Sequence, residues 1–187
     1  MKALEEMTAD ELAALFPIIL VPHQDAWQGW FMRESARLRA LLPLEQIYQL
    51  THVGSTAIEG IWAKPTVDML LEATDEAAFL SLAARLPDCG YIRMRHERER
   101  ASFNRGYTPQ GFAPEVFHLH LRLRGDADEV YFRDYLNLHP ELAKEYERLK
   151  LSLWRPFEHD RDGYTAAKGE FVRRITEQAK RYFQGEF

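Results

Sequence analysis

Phe117, Leu119, Leu121 and Leu123 alternate without a break with His118, His120, Arg122 and Arg124. Successive side chains of a strand point to opposite faces, so this segment reads as a strand with one apolar face. Its other face is wholly basic or imidazole. The apolar face requires a core beneath it, whereas the basic face needs water, partners or a polar groove. A chain containing such a strand is expected to build a sheet whose two faces have different tasks.

A second stretch supplies the natural neighbour. His52-Val53-Gly54-Ser55-Thr56-Ala57-Ile58-Glu59-Gly60 reads as a strand end, a glycine turn and a short polar helix start. Lys64-Pro65-Thr66-Val67-Asp68-Met69-Leu70-Leu71 follows as an apolar strand carrying one acid. Gly54 can take backbone angles closed to other residues and can let a ligand approach its amide. Ser55 and Thr56 can cap the following turn or offer hydroxyls to a phosphate. Asp68, inside an apolar strand, survives as a charge only if paired, hydrogen-bonded or bound to a cation. A phosphate cradle with a cation anchor is one reading. A helix cap with an ion pair is the other, and the residues alone leave both open.

The remaining elements follow in order. Thr8-Ala9-Asp10-Glu11 matches a capping box for a short helix that Pro17 ends. Asp25 repeats the capping logic for a longer helix, with Trp27, Trp30, Phe31, Leu38, Leu41 and Leu42 on its apolar stripe. Strands are expected at Gln46–Val53 and Thr66–Ala73, and a helix over Asp75–Leu86. Tyr91–Arg95 and Ala101–Asn104 read as a hairpin, and Gly106–Pro114 as a loop. From Asp128 the chain reads as helices: to about Leu138, from Pro140 to about Trp154, and from about Tyr164 to Phe183. The fold class implied is α+β, a mixed sheet with helices packed on it and a C-terminal helical extension. Residues 1–187 read as one domain, with a core over about 22–126 and the helices over about 128–187.

Composition excludes several classes. The single cysteine, Cys89, rules out an internal disulfide and a thiolate metal site, so any metal would rest on His and carboxylates. Leu12–Val21 is too short to span a bilayer, and the acidic first residues are unlike a signal peptide. A cytoplasmic location is therefore expected. The net charge of -5, with both signs interspersed, gives no basic stripe suited to nucleic acid. No serine or cysteine triad, P-loop or dinucleotide fingerprint is present.

His52-Val53-Gly54-Ser55-Thr56, Lys64-Pro65, Asp68, Phe117-His118-Leu119-His120, Phe132-Arg133-Asp134-Tyr135-Leu136 and His139-Pro140 together resemble the GrpB-like family. The resemblance runs from about Pro22 to the C-terminus. That family is grouped with the nucleotidyltransferase superfamily, which implies a nucleotidyltransferase-like fold and transfer of a nucleotidyl group from a nucleoside triphosphate. It also implies that Gly54 and Ser55 hold phosphates and that Asp68 is the first of the metal-binding carboxylates. Here Leu70 stands where the second carboxylate is implied. Glu72 shares the face of Asp68 but lies about 13 Å along the strand, too far to share an ion.

His118 and His120 are the natural substitutes, about 7 Å apart on one strand face. With Asp68 they form a candidate site for a divalent ion (Mg, Mn or Zn), and imidazoles favour Zn, Mn, Fe or Ni over Mg. The alternative is that both histidines hydrogen-bond within a polar groove. His52 is a further candidate ligand or phosphate contact. Lys64 is a candidate phosphate contact, or a surface lysine. Arg93, Arg95 and Arg122 could grip a polyanion if they line one groove, whereas Arg98 and Arg100 read as paired with Glu97 and Glu99. Arg133 with Asp134, and Tyr164 with Lys168, could close over the pocket or dock the helical tail. The expected partner is a nucleotide or another phosphate-bearing small molecule. A degenerate nucleotide- or phosphate-binding protein and a His/His/Asp metal-dependent hydrolase are the competing expectations.

Overall fold

A computed structural model describes residues 2–185. The alternating segment lies in the long strand β5 (Gly111–Leu123), the centre of a five-stranded sheet. With β1 (Ile47–Val53), β2 (Val67–Ala73), β3 (Ile92–His96) and β4 (Arg100–Thr108), the spatial order is β1-β2-β5-β4-β3. β2 and β5 are parallel and the other neighbours antiparallel, so the sheet is mixed. The parallel pair needs a long crossover, supplied by helix α3 (Glu76–Arg85) and the β3–β4 hairpin.

The two faces of the sheet differ as the alternation requires. Val67, Met69 and Leu71 of β2, Phe103 of β4 and Phe117, Leu119 and Leu121 of β5 join one core. Helix α2 (Ala26–Leu41) adds Trp27, Phe31 and Leu38, and α3 adds Phe79 and Leu82. Removing that much apolar surface from water is the main stabilising term. Asp68, His118 and His120 fall on the other face. One end of it is walled by α4 (Asp128–Leu138), α5 (Pro140–Trp154) and α6 (Arg161–Gln184), which share a second cluster including Phe132, Leu136, Tyr146, Phe171 and Ile175. Ile58 and Ile61, just after the glycine turn, are fully buried in that cluster and fasten the helices to the sheet.

The α+β class and the helical extension are as expected, and so is the first helix, α1 (Ala9–Leu15). Thr8 Oγ1 accepts from Glu11 N at 3.2 Å and the Glu11 carboxylate from Thr8 N at 2.7 Å. Four local expectations are corrected. Asp25 does not cap α2: its backbone is already helical (φ -59, ψ -23), and its side chain makes no cap hydrogen bond. Leu41 is 52% exposed, because the chain leaves the helix at Leu42 and turns that residue inward instead. Residues 106–114 are a hairpin rather than a loop, with β4 and β5 meeting at a tight turn after Thr108. Gly106 permits it, since at φ +94 a Cβ would stand 2.5 Å from the Glu115 carbonyl oxygen. Helix α6 starts at Arg161, three residues early, because the Asp160 side chain accepts from Gly163 N.

Glu34 is buried within the otherwise apolar face of α2, at 3% exposure. It accepts from Tyr91 Oη at 2.9 Å, from Arg105 at 2.7 Å and from Arg37 at 2.7 and 2.9 Å, pinning α2 to the β4 end of the sheet. Removing one side of a buried charge network leaves the other uncompensated. Glu34→Ala is expected to lower the free energy of unfolding by about 3 kcal/mol in urea titrations, with the m-value unchanged.

Candidate functional site

The site begins with the register of the two parallel strands. Asp68 of β2 stands opposite His118 of β5, and Leu70 opposite His120. Period-two alternation then puts Asp68, His118 and His120 on one face. His118 Nδ1 lies 3.3 Å from Asp68 Oδ1, and His120 Nε2 lies 3.6 Å from the same oxygen. The spatial arrangement expected of these three residues is therefore present.

Gly54 contributes in another way than expected. Its φ is +73, and a Cβ there would lie 2.3 Å from Asp68 Oδ2. The space a side chain would take is filled by the carboxylate, so the glycine seats Asp68 against the turn. Thr56 is also accounted for within the fold. It is 3% exposed, accepts from His52 Nε2 at 2.9 Å and donates to the Thr66 carbonyl at 3.2 Å. His52 stacks on Phe31 and meets the Gln28 carboxamide through Nδ1, and burial drives its imidazole down to about 4. His52 and Thr56 thus brace the back of the turn, facing a separate, open hollow of about 900 Å³ at the β1 edge.

The hollow in front of Asp68 holds about 480 Å³. Gly54 and Ser55 form its floor with Asp68, His118 and His120; Lys64, from the segment before β2, and Lys150, Arg161, Tyr164 and Lys168, from α5 and α6, form its wall. Tyr164 is 1% exposed, and two ammonium groups lie over its ring, Lys168 Nζ at 4.5 Å and Lys64 Nζ at 5.8 Å from the centroid. Its hydroxyl is buried without a hydrogen-bond partner. Among the described residues, neither Lys64 nor Lys168 has a carboxylate within ion-pair distance. Burial drives the Lys64 ammonium down to about 7, with Lys168 and Arg161 pushing the same way and Asp68 opposing them. Lys150, 1% exposed, donates to the Trp62 carbonyl and lies over the Tyr146 ring. Burial, then Lys168, lowers it to about 7 as well.

Sequence reasoning named Lys64, Tyr164 and Lys168 but missed Lys150, Arg161 and Tyr107. Tyr107 carries the most consequence. Arg161 donates to its hydroxyl at 2.5 Å, and that hydroxyl lies 2.8 Å from His118 Nε2. Arginine cannot accept, so the tyrosine proton goes to Nε2 and the imidazole proton is left on Nδ1, facing Asp68. Burial lowers the His118 pKa, consistent with a neutral ring. Burial pushes the Asp68 carboxyl up, but hydrogen bonds from His118 and His120 outweigh it and hold the group well below the usual carboxylate range.

The arginines expected to share a groove are not brought together. Arg93 donates to the Ala83 carbonyl at 3.0 Å, and Arg95 is exposed near Glu97. Arg122 is held by Glu129 and by the carbonyls of Ala101 and Leu121. Glu72 is buried and accepts from Gly125 N at 2.9 Å, so it stays out of the site. Arg133 donates to the His52 carbonyl and pairs with Asp134, docking α4 behind the turn. A resident divalent ion does not fit the donors as they stand. Both nitrogens of His118 are engaged, and among the described residues no group of three or more His, Cys, Asp or Glu side chains is disposed to hold a metal.

The model of the family described as GrpB protein matches residues 17–178. The chain belongs to the GrpB family. The glutamate-rich protein GrpB of Alkalihalophilus pseudofirmus is 33% identical over 165 residues, covering 84% of this chain and 93% of that one. The crystal structure of the conserved protein GrpB from Enterococcus faecalis is 26% identical with a TM-score of 0.75, over 88% of this chain and 99% of that one. The structure of Cid1 in complex with its short product ApU aligns over 70% of this chain and 40% of that one, at 12% identity and a TM-score of 0.48.

Two measurements probe this GrpB-family site. Gly54→Ala combines a left-handed backbone with the clash against Asp68, so its cost should be lower by at least about 1 kcal/mol in an Asp68→Gly background, read by double-mutant cycle. Lys150 bears on pH. Its folded pKa of about 7 lies below the unfolded value of 10.5, so the unfolded state binds the extra proton between them. The destabilisation is complete below pH 7 and fades as pH rises. Unfolding free energy should therefore increase from pH 7 to 9 in the wild-type chain, by up to about 1.4 kcal/mol per unit more than in Lys150→Met.

Proposed function

We propose that this protein binds a nucleotide, in the triphosphate form, in the hollow between the Gly54–Ser55 turn and α6. The observation that carries this reading is the gathering of Lys64, Lys168 and Arg161 round one hollow without carboxylate partners. Unpaired cations in a partly dry site are costly, and a polyphosphate relieves that cost by supplying the missing charge. Ser55 offers a hydroxyl at the floor, and Tyr164, whose phenol lacks a partner, offers a donor. The Gly-Ser turn followed by Asp68 on the next strand is the pattern of the nucleotidyltransferase superfamily, which points to nucleotides among phosphate ligands. Binding without turnover accords with Leu70 at the second carboxylate position, where its side chain is fully buried.

Transfer of a nucleotidyl group is the second reading, favoured by the ionised state in which His118 and His120 keep Asp68. Asp68 would then meet a divalent ion that arrives with the triphosphate. Such an ion supplies charge neutralisation at the phosphates. The chain's own part is to position the triphosphate with Lys64 and Lys168 and to hold Asp68 deprotonated.

Calorimetric titration with ATP and other nucleoside triphosphates, with and without Mg²⁺, tests the binding. Lys64→Met and Lys168→Met should each weaken it at least about tenfold, since a lost charge-assisted contact costs roughly 1.5–3 kcal/mol. Affinity should fall as pH rises from 6.5 to 8.5, because Lys64 loses its proton near 7 and an ammonium is the form that binds. No binding by the wild-type chain in either condition would sink the proposal. Pyrophosphate release that Asp68→Asn abolishes would establish transfer; binding without release under Mg²⁺, Mn²⁺ and Zn²⁺ would leave binding alone.

A further inference from the structure

Beside the nucleotide hollow lies a smaller recess of about 180 Å³. Its inner side is apolar, lined by Ile18, Phe112, Pro114 and Val116. Ile18 is 1% exposed and fixed by two tethers: its amide donates to the Glu158 carbonyl at 2.7 Å, and its carbonyl accepts from Trp154 Nε1 at 2.6 Å. Phe112 closes a ring cluster with Phe16 and Tyr107, at centroid distances of 5.0 and 5.3 Å, yet stays 38% exposed. The recess is therefore rigid on one side and open on the other, with space for a single ring system.

Its remaining wall is cationic. Lys64 and Arg161 line this recess as well as the nucleotide hollow, and Tyr107 stands at the junction with the Arg161 guanidinium 5.1 Å from its ring centroid. Among the described residues, Arg161 donates to the Tyr107 hydroxyl and pairs with no carboxylate. An apolar slot ending at two cations without carboxylate partners selects for one chemistry: a planar apolar group joined to an anion.

We propose that this recess is a second ligand subsite, taking a small aromatic acid with its ring against Phe112 and Ile18 and its anionic group on Lys64 and Arg161. Neither the nucleotide reading nor any transfer reaction is needed for it. Ala113 borders the recess from the exposed hairpin, so a large side chain there fills the slot without entering the nucleotide hollow.

Three probes separate the ring from the charge: benzoate, its neutral counterpart benzamide, and acetate, which has the charge and no ring. Ligand-observed NMR titration of the full chain should give benzoate an affinity at least about tenfold above both others, a difference of roughly 1.4 kcal/mol. Ala113→Trp should abolish benzoate binding and leave triphosphate binding unchanged. Lys168→Met should weaken triphosphate binding and leave benzoate binding unchanged, because Lys168 lines only the nucleotide hollow of the two. Lys64→Met should weaken both. The subsite is overturned if wild-type protein binds no benzoate, if benzamide or acetate binds as tightly, or if Ala113→Trp leaves benzoate affinity intact. Failure of triphosphate binding alone overturns the nucleotide reading and leaves this one standing.

Discussion

The seat of Asp68 organises the molecule. A carboxylate on a strand between two apolar neighbours needs donors that bring no large charge of their own, or the cost of burial is merely moved elsewhere. Two imidazoles on the adjacent strand meet that need, and the parallel register of β2 and β5 brings them there. A one-residue slip would turn His118 and His120 into the core and set leucines against the acid. The close fit of the carboxylate over Gly54 excludes any side chain at that position of the turn. Strand pairing, turn geometry and site chemistry are thus parts of one constraint.

Once Asp68 is satisfied from within, the cations around it are not. His118 and His120 both approach Asp68 Oδ1, while, among the described residues, Lys64, Lys168 and Arg161 line the hollow without carboxylate partners. The lowered pKa values of Lys64 and Lys150, both about 7, have burial as their main cause and Lys168 as the next. A fold selected only for stability would replace such lysines with apolar residues or give them acids. Their burial without acids is an electrostatic cost that the fold carries at this hollow. The core beneath the other face, with Trp27, Phe79 and Phe103 almost wholly buried, supplies the stability that offsets it.

How much of this could be read from the residues depends on the element that bears them. Asp68, His118 and His120 were legible because alternation along strands fixes side-chain direction, leaving only register to guess. Lys150 and Arg161 were not, since spacing along a helix identifies its apolar stripe without saying which part of a sheet the helix will cover. Tyr107 is not legible because glycine and proline around it are loop signals, whereas in the fold Gly106 serves a bulge and Pro114 lies within a strand. Arg93 and Arg122 show the converse error. Charge type suggested a shared grip, but Arg93 caps the Ala83 carbonyl and Arg122 anchors the start of α4 through Glu129. His52 and Thr56 stand beside the turn, but their hydrogen bonds run backward into the fold.

The donor chain that ends at Asp68 gives the site a direction. Arg161 can only donate, Tyr107 passes a hydrogen bond to His118 Nε2, and His118 presents its remaining proton to the carboxylate. Each member has one consistent state, and none needs to gain or lose a proton for Asp68 to stay ionised. The chain starts at the first residue of α6, so the placement of that helix, set by the Asp160 cap, reaches the acid through three side chains, Arg161, Tyr107 and His118. Arg161 also faces both the hollow in front of Asp68 and the apolar recess. An anion on either side would draw on the same guanidinium that orients Tyr107, so occupancy of the two spaces and the hydrogen bonding of Asp68 share one group. Coupling of that kind requires no moving domain, only one arginine whose donors are divided among competing acceptors.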